Sequence, residues 1–329
     1  TPASGSVFAG FSGGTGNATV CAASPCTFTL TQNSSVTATF NARPSTLTVN
    51  SAADAVDALP GDGICATASG VCTLRAAVQE ANALPGTDTI LFDGSLSGTP
   101  ITLTIAGAGE NAAATGDLDV SGSLIITGNG ADNTIIQACN TGANPSCSGI
   151  DRVFDVMDSA SLTLNSLTVR NGTVGTEPFG RSGGGIRVGL LLPWEGGTGV
   201  SSSLGLNDSR VLNNVAAGHG GGISNIGSVT VNNSVIAGNQ ALTIYSGGGI
   251  MNNLGGTLTV TNSTISGNTA SGGGGIFNNP GSLPATITIT NSTISGNTAS
   301  SGGGGIYSNG GTVSVGNTII AGNTASTSP

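Results

Sequence analysis

The chain has 329 residues, of which 56 are glycine and only 7% are charged, so its composition lies far from that of an average globular domain. Its seven basic residues are all arginine, sixteen acids bring the net charge to −9, and no basic cluster is present that could neutralise nucleic-acid phosphates. Hydrophobic residues make up 37% of the chain, which predicts an ordered core, and no apolar run is long enough to span a membrane.

Residues 1–43 form the first predicted unit and are rich in strand-forming residues. They contain F-A-G-F-S-G at residues 8–13 and S-V-T-A-T-F at residues 35–40. The segment resembles the second half of a divergent β-rich repeat that is common in bacterial surface proteins. We therefore expect a partial β-rich surface repeat, either processed or cut from a longer parent chain.

Residues 44–95 differ in kind, because apolar side chains recur there at helical spacing. The pattern predicts an amphipathic helix at about 73–84, which ends before Pro85 and Gly86. A helix beside a repeat region is expected to cover the open end of the first coil, which would otherwise expose core side chains and unpaired strand groups. The apolar residues are Leu74, Ala77, Val78, Ala81 and Leu84.

Three phrases in this region carry a resemblance to a known family. They are T-V-N-S-A-A-D at 48–54, C-T-L-R-A-A-V-Q-E-A-N at 72–82 and T-G-D-L-D-V at 115–120. Over roughly residues 46–136 the chain closely resembles the CSLREA-type domain of bacterial secreted proteins, with Thr73 and Ala76 in place of serine and glutamate. The resemblance implies a secreted or surface protein in which right-handed parallel β-helix repeats follow, and it implies no known chemistry.

Three further phrases recur along the rest of the chain. A seven-residue phrase such as N-S-T-I-S-G-N occupies residues 165–171, 208–214, 233–239, 262–268, 291–297 and 317–323. The phrase G-G-G-I ends at Ile186, Ile223, Ile250, Ile276 and Ile306. A short alternation of polar and apolar residues occupies 161–164, 228–231, 257–260, 286–289 and 312–315.

Three strand-like phrases per period predict an all-β, right-handed, three-faced parallel β-helix. We expect it over residues 96–329, with a loop insertion at about 172–202, an N-terminal capping helix and a small N-terminal β segment. The G-G-G-I phrases are interpreted as tight turns, because neither G-x-G-x-x-G nor G-K-[ST] occurs.

The last asparagine of each seven-residue phrase is expected to occupy a turn, where left-handed or bridge conformations are tolerated. Stacked in successive coils, these side chains could form an amide ladder that satisfies buried backbone groups; a row of ligand-binding amides is the alternative. The six residues are Asn171, Asn214, Asn239, Asn268, Asn297 and Asn323.

The six cysteines fall into three local pairs, which is typical of short-loop disulfides in an oxidising compartment. We expect the disulfides Cys21–Cys26, Cys65–Cys72 and Cys139–Cys147, with small buried thiols as the alternative.

Acid–base chemistry is confined by the sequence to one region, because no Asp, Glu, Lys or Arg follows Arg210. The acids at 151–208 do not share a repeat phase, since Asp155 and Asp158 are expected to precede a strand. We therefore expect neither an enzyme, nor a cofactor, nor a metal site. The remaining charged candidates are Asp151, Arg170, Glu177, Arg181, Arg187, Glu195 and Asp208.

The function predicted from these patterns is an extracellular structural or adhesive surface protein. Because the final repeat has no cap, molecules could associate head to tail into filaments. The alternative is a carbohydrate-binding or polysaccharide-degrading β-helix with a site near residues 151–208, where Trp194 could stack on a sugar ring. Ice binding by an outward threonine array is a third interpretation. Possible partners are another copy of the chain and surface glycans.

Overall fold

The computed structural model describes residues 6–20, 27, 29, 31–42, 45–107, 109–138, 151–175, 182–189, 201–244 and 246–326. In these ranges the chain is β-structure, apart from one α-helix, α1, at Leu74–Ala83 and two short 3₁₀ helices at Gly16–Val20 and Gly94–Leu96. Within these ranges, neither the length nor the apolar content of any helix suffices for a bilayer crossing.

Two antiparallel strands near the N-terminus, Ser6–Thr15 and Ser35–Ala42, form a separate sheet. The other strands of the described ranges belong to four parallel sheets in which successive coils of the chain stack on one another. This stacking confirms the predicted parallel β-helix; its right-handed sense stays a prediction.

Sheet 1 contains the alternating polar–apolar phrases. Its nine strands are Thr46–Val49, Thr87–Phe92, Ser123–Thr127, Ser161–Asn165, Ser203–Asn207, Ser228–Asn232, Thr257–Thr261, Thr286–Thr290 and Thr312–Gly316. Sheet 2 contains the middle of the seven-residue phrases. Its eight strands are Ile101–Thr102, Ile135–Gln137, Thr168–Arg170, Arg210–Leu212, Val235–Ala237, Thr264–Ser266, Thr293–Ser295 and Ile319–Ala321.

The strands of sheet 3 were not predicted, because each is only two residues long and shows no alternation of polar and apolar residues in the sequence. They are Thr173–Val174, Val215–Ala216, Gln240–Ala241, Thr269–Ala270, Thr298–Ala299 and Thr324–Ala325. Five strands of sheet 4 begin at the isoleucine of a G-G-G-I phrase. Its seven strands are Leu118–Val120, Phe154–Val156, Ile186–Val188, Ile223–Asn225, Ile250–Asn253, Ile276–Asn279 and Ile306–Ser308.

The first seven-residue phrase is one residue out of register with the others. Sheet 1 pairs Asn165 with Asn207, and sheet 3 pairs Thr173 with Val215. Gly172, rather than Asn171, therefore takes the position of Asn214. Asparagine at both ends of residues 165–171 produced the same spacing as the true repeat, so the sequence alone suggested the wrong alignment.

The left-handed backbone positions also differ from the prediction. They fall on the first residue of a phrase, as at Asn262 with φ 53°, and on the glycine before the last asparagine, as at Gly267 with φ 62°. The last asparagines from Asn214 onward have no positive φ. Glycine adopts this region without steric cost, and asparagine tolerates it.

Helix α1 closes the N-terminal end of the coil stack. The Thr73 hydroxyl accepts a hydrogen bond from the Ala76 N–H at 3.1 Å, which caps the first turn. The helix packs against strands Thr46–Val49, Thr87–Phe92 and Leu118–Val120, with Leu74 and Val78 buried in the common core. It begins and ends within one residue of the predicted bounds.

Candidate functional site

A row of charged side chains crosses the first three strands of sheet 4. Leu118, Phe154 and Ile186 pair in register and point into the core. Side chains alternate along a strand, so the next residues lie together on the opposite face of the sheet. These residues are Asp119, Asp155 and Arg187, and all three are buried, at 0%, 1% and 7% exposure.

Asp155 occupies the centre of the row and is held by two arginines. Nε of Arg187 lies 2.9 Å and 3.0 Å from the two carboxylate oxygens, and its Nη2 contacts Oδ2. Arg152 Nη1 lies 3.4 Å from the same Oδ2. Burial by itself would raise the pKa of Asp155, but the two guanidinium groups hold that pKa below its ordinary value. Asp155 is therefore ionised at neutral pH.

Asp117 lies beside this pair, and its negative charge is balanced less fully by arginine. Its Oδ2 accepts a hydrogen bond from Arg152 Nη1 at 2.7 Å. Burial raises the pKa of Asp117 to about 7, with added repulsion from Asp155 and Asp151 and partial relief from Arg152. Asp151 Oδ1 is 3.5 Å from Arg152 Nη2, so this one guanidinium serves three carboxylates.

Asp119 is the aspartate of this cluster whose negative charge is balanced least. Its Oδ2 accepts a hydrogen bond from the Ala113 N–H at 2.8 Å, while its Oδ1 is buried without a hydrogen-bond donor. Burial, followed by repulsion from Asp117 and Asp155, raises the pKa of Asp119 to about 9. One carboxylate oxygen from each of the three aspartates lies within 4.8 Å of the other two, which is a spacing that could hold a metal ion.

Arg75 of helix α1 anchors the loop that covers this cluster. It is 0% exposed and pairs with Asp54 at 2.6 Å and 3.2 Å. The same guanidinium donates to the carbonyl oxygens of Ala113, Gly116 and Asp117 at 3.0, 2.8 and 3.2 Å. The capping helix and the buried acidic cluster are therefore parts of one hydrogen-bonded unit.

The structure brings together only some of the predicted charged candidates. Asp155, which was expected to precede a strand, lies within strand Phe154–Val156, in register with Asp119 and Arg187. Asp158 lies in a turn, Arg170 contacts Gln137, and Asp208 is exposed. Outside the described residues lie Glu177, Arg181, Trp194 and Glu195.

Sequence reasoning missed Asp117, Asp119 and Arg152 as members of a site. A signal was present, because D-L-D at 117–119 places two carboxylates on the same side of a strand with an apolar residue between them.

Five of the six predicted ladder asparagines form a continuous row, in which the first four are buried and the last is half-buried. In the first four, Nδ2 donates to Oδ1 of the asparagine one coil further on, at 2.9–3.0 Å, and the same Oδ1 accepts the preceding asparagine's backbone N–H at 2.9–3.0 Å. Asn171 stands outside the row because of the register difference, and the Gly172 N–H donates to Asn214 Oδ1 instead. The row consists of Asn214, Asn239, Asn268, Asn297 and Asn323.

Two further rows of polar side chains run parallel to it, and both are buried except at their last members, Thr318 and Ser308. Hydroxyl oxygens accept the backbone N–H of the equivalent residue in the preceding coil along Ser209, Ser234, Ser263, Ser292 and Thr318. Amide and hydroxyl side chains contact one another along Asn225, Asn252, Asn278 and Ser308. The coils are therefore joined by side-chain hydrogen bonds as well as by sheet pairing.

The Cys65–Cys72 disulfide is confirmed, with its Cα atoms 5.1 Å apart. It joins the loop before helix α1 to the helix N-terminus. The other two expected disulfides, Cys21–Cys26 and Cys139–Cys147, lie outside the described residues.

Comparison with known proteins adds information for one end of the chain. Residues 1–44 match the family model described as a divergent InlB B-repeat domain. This agrees with the β-rich repeat predicted for residues 1–43, and the resemblance of residues 46–136 to CSLREA-type domains stays a prediction. None of the curated proteins matches the chain in sequence.

Among solved structures, the fold is similar to the crystal structure of pectate lyase Pel9A. The two are 12% identical, with a TM-score of 0.42, over 86% of this chain and 78% of that chain. A similarity at this level does not identify an activity or a substrate for the present chain.

Proposed function

We propose that this protein is an extracellular structural element, a stiff rod that spaces or presents other parts of a surface assembly. The observation that carries the proposal is the set of three buried polar rows, which run without interruption through the C-terminal coils. A rod under tension or bending has to separate neighbouring coils. Every such separation would break these side-chain bonds together with the sheet pairing.

The strength of the rows follows from their burial. A neutral hydrogen bond contributes about 0.5–1.5 kcal/mol net, but a buried donor or acceptor that loses its partner costs about 1–3 kcal/mol. Asn268, at 0% exposure, both donates to Asn297 and accepts from Asn239, so neither neighbour can move away without leaving polar atoms unpaired. The coils therefore resist separation cooperatively.

An extracellular location is supported by the Cys65–Cys72 disulfide, since such bonds persist in oxidising compartments. The chain beyond Arg210 contains no charged residue. A tightly hydrogen-bonded solenoid with so few charged side chains would offer little for proteases to recognise, which suits exposure outside the cell.

Head-to-tail association is the finer part of the proposal. In the last described coil Val315 and Ile320 are 44% and 48% exposed, whereas their partners one coil earlier, Ile289 and Ile294, are fully buried. We infer that this edge accepts the N-terminal two-stranded unit of a second copy. Deleting residues 1–43 should then lower the assembly size measured by light scattering. An unchanged size would leave continuation of a longer chain as the occupant.

The structural role is tested by pulling single molecules of the full chain with an atomic force microscope. We expect a high unfolding force for the wild type and a clear decrease for Asn268→Ala, which interrupts the amide row. Asn262→Gly changes an exposed asparagine of the same coil and should leave the force unchanged. Equal unfolding forces for all three proteins would contradict the proposal that the amide row resists tension.

A polysaccharide-binding or polysaccharide-degrading role near residues 151–208 is the alternative. Its described candidates Asp155 and Arg187 are buried and paired with each other, which disfavours contact with a sugar chain. Glycan-array binding and product analysis, with Trp194→Ala as the control, test this role. Polysaccharide turnover by the wild-type protein would contradict the structural proposal.

A further inference from the structure

The acidic cluster beside helix α1 contains more buried negative charge than its arginines balance. Within the described part of the chain, Asp117, Asp119, Asp151 and Asp155 share the guanidinium groups of Arg152 and Arg187, so two negative charges would remain among these six groups if all were ionised. All six side chains are less than 9% exposed. Unpaired charge at such burial is strongly unfavourable, so a counter-charge or protons must occupy the cluster.

The geometry favours a metal ion over a further side chain. Oxygens of Asp117, Asp119 and Asp155 lie within 4.8 Å of one another, and Ca²⁺ bonds of about 2.3–2.6 Å allow two ligands to be at most about 5 Å apart. Asp119 is 0% exposed, and its Oδ1 has no hydrogen-bond donor, so this oxygen is available as a ligand. The cluster contains neither histidine nor cysteine, and an all-oxygen ligand set suits hard cations.

We propose that Asp117, Asp119 and Asp155 bind one Ca²⁺ ion that locks the N-terminal cap onto the first two coils. The arginine contacts are compatible with this ion, because each carboxylate offers about four lone-pair positions and Arg152 and Arg187 use only part of them. Mg²⁺ is the less suitable ion, since its bonds of about 2.0–2.1 Å require a tighter octahedral arrangement.

The position of the ion connects it to the cap. Asp119 Oδ2 holds the Ala113 N–H, and the carbonyl oxygens of Ala113 and Gly116 accept hydrogen bonds from Arg75 of helix α1. Asn82 of the same helix donates to the Asp119 carbonyl oxygen at 2.7 Å. An ion on Asp119 would therefore stabilise the attachment of helix α1 as well as the pairing of strands Leu118–Val120 and Phe154–Val156.

The test compares thermal unfolding of the full chain at pH 8 after chelator treatment, with CaCl₂ or MgCl₂ added to about 10 mM, enough to saturate a site of extracellular affinity. We expect the wild-type Tm to rise by about 5 °C with calcium and by less with magnesium. Equilibrium dialysis should find one Ca²⁺ per chain. Asp119→Asn should lose the shift, whereas Asp132→Asn, which changes an exposed acid paired with Arg210, should keep it.

Two results would overturn the proposal. The first is a wild-type protein that neither binds calcium nor changes its Tm, which would show that protons alone compensate the cluster. The second is an equal calcium shift in Asp119→Asn, which would place the ion elsewhere. If Asp119→Asn does not fold, Asp117→Asn takes its place and must show the same loss of the shift.

Discussion

The same backbone position is stabilised by different chemistry at the two ends of the β-helix. On the outer face of sheet 4, the first three coils place Asp119, Asp155 and Arg187 in one row, and the row continues through Ser224, Met251, Phe277 and Tyr307. Near the cap the row consists of buried ion pairs. Further along it is neutral, and the rings of Phe277 and Tyr307 lie 5.2 Å apart.

This difference shows that the same coil backbone can be combined with different side-chain interactions between neighbouring coils. In the N-terminal part, each charge depends on a specific partner, and loss of one partner leaves a buried charge uncompensated. In the C-terminal part, neutral amides and hydroxyls repeat from coil to coil, so the stabilisation is spread over many similar bonds. The two parts should therefore respond differently to substitution, pH and reduction.

The largest effect is expected from Arg75→Ala in the N-terminal part. The change leaves Asp54 without its cation and three carbonyl oxygens without their donor, so we expect a loss of about 3–5 kcal/mol in the free energy of unfolding. Urea denaturation followed by circular dichroism measures it. Arg210→Ala removes an exposed ion pair and should cost far less free energy than Arg75→Ala. Similar losses in the two variants would contradict the assigned role of the cap.

The next largest effect is expected from Asn268→Ala in the C-terminal part. It removes the acceptor of the Asn239 backbone N–H and Nδ2, and the donor to the Ile236 carbonyl oxygen. We expect a loss of about 3 kcal/mol, because several buried groups become unpaired. The matched control Asn262→Gly, at an exposed position with φ 53°, should stay within about 0.5 kcal/mol of the wild type. A loss of under 1 kcal/mol in Asn268→Ala, about the net value of one hydrogen bond, would show that the row is not cooperative.

The sequence predicted the C-terminal part better than the N-terminal part, for a physical reason. Repetition of N-S-T-I-S-G-N at a constant period identifies both the coil and the asparagine row, because stacked coils impose the same environment on each copy. Helix α1 was also predictable from local spacing, although its Thr73 cap was not identified in the sequence. The partners of Arg75 and the grouping of Asp119 with Asp155 depend on segments 21 to 42 residues apart, and no local pattern specifies such contacts.

Removal of the Cys65–Cys72 disulfide should have a smaller effect than either substitution. The bond closes a loop of eight residues, and loop-closure entropy predicts a loss of about 2.5 kcal/mol when both cysteines are replaced by serine. Thermal unfolding with and without reductant measures it. In the double variant, reductant should cause no further loss of stability at this site. A wild-type Tm that does not change with reductant would contradict the prediction.

The pH dependence of the calcium-free protein should also distinguish the two parts. The pKa of Asp119 is raised by burial to about 9, so its protonated form stabilises the fold fully below pH 3.8, and this stabilisation is lost as pH rises towards 9. Across one pH unit, such as from 6 to 7, the wild type should lose on the order of 1 kcal/mol relative to Asp119→Asn. Urea unfolding in chelator at both pH values measures the difference, and parallel curves for the two proteins would contradict it.

Hydrogen exchange of the wild type and of Asn268→Ala tests most directly the claim that buried side-chain rows hold the coils together. In the wild type the backbone N–H groups of Asn239 and Asn268 donate to the next asparagine's Oδ1 at 2.9 and 3.0 Å. We predict that they exchange as slowly as the strand amides of Ile236 and Ile265, and that Asn268→Ala accelerates exchange at Asn239 in particular. Rapid exchange at Asn239 in the wild type, or equal protection of Asn239 in both proteins, would contradict the account.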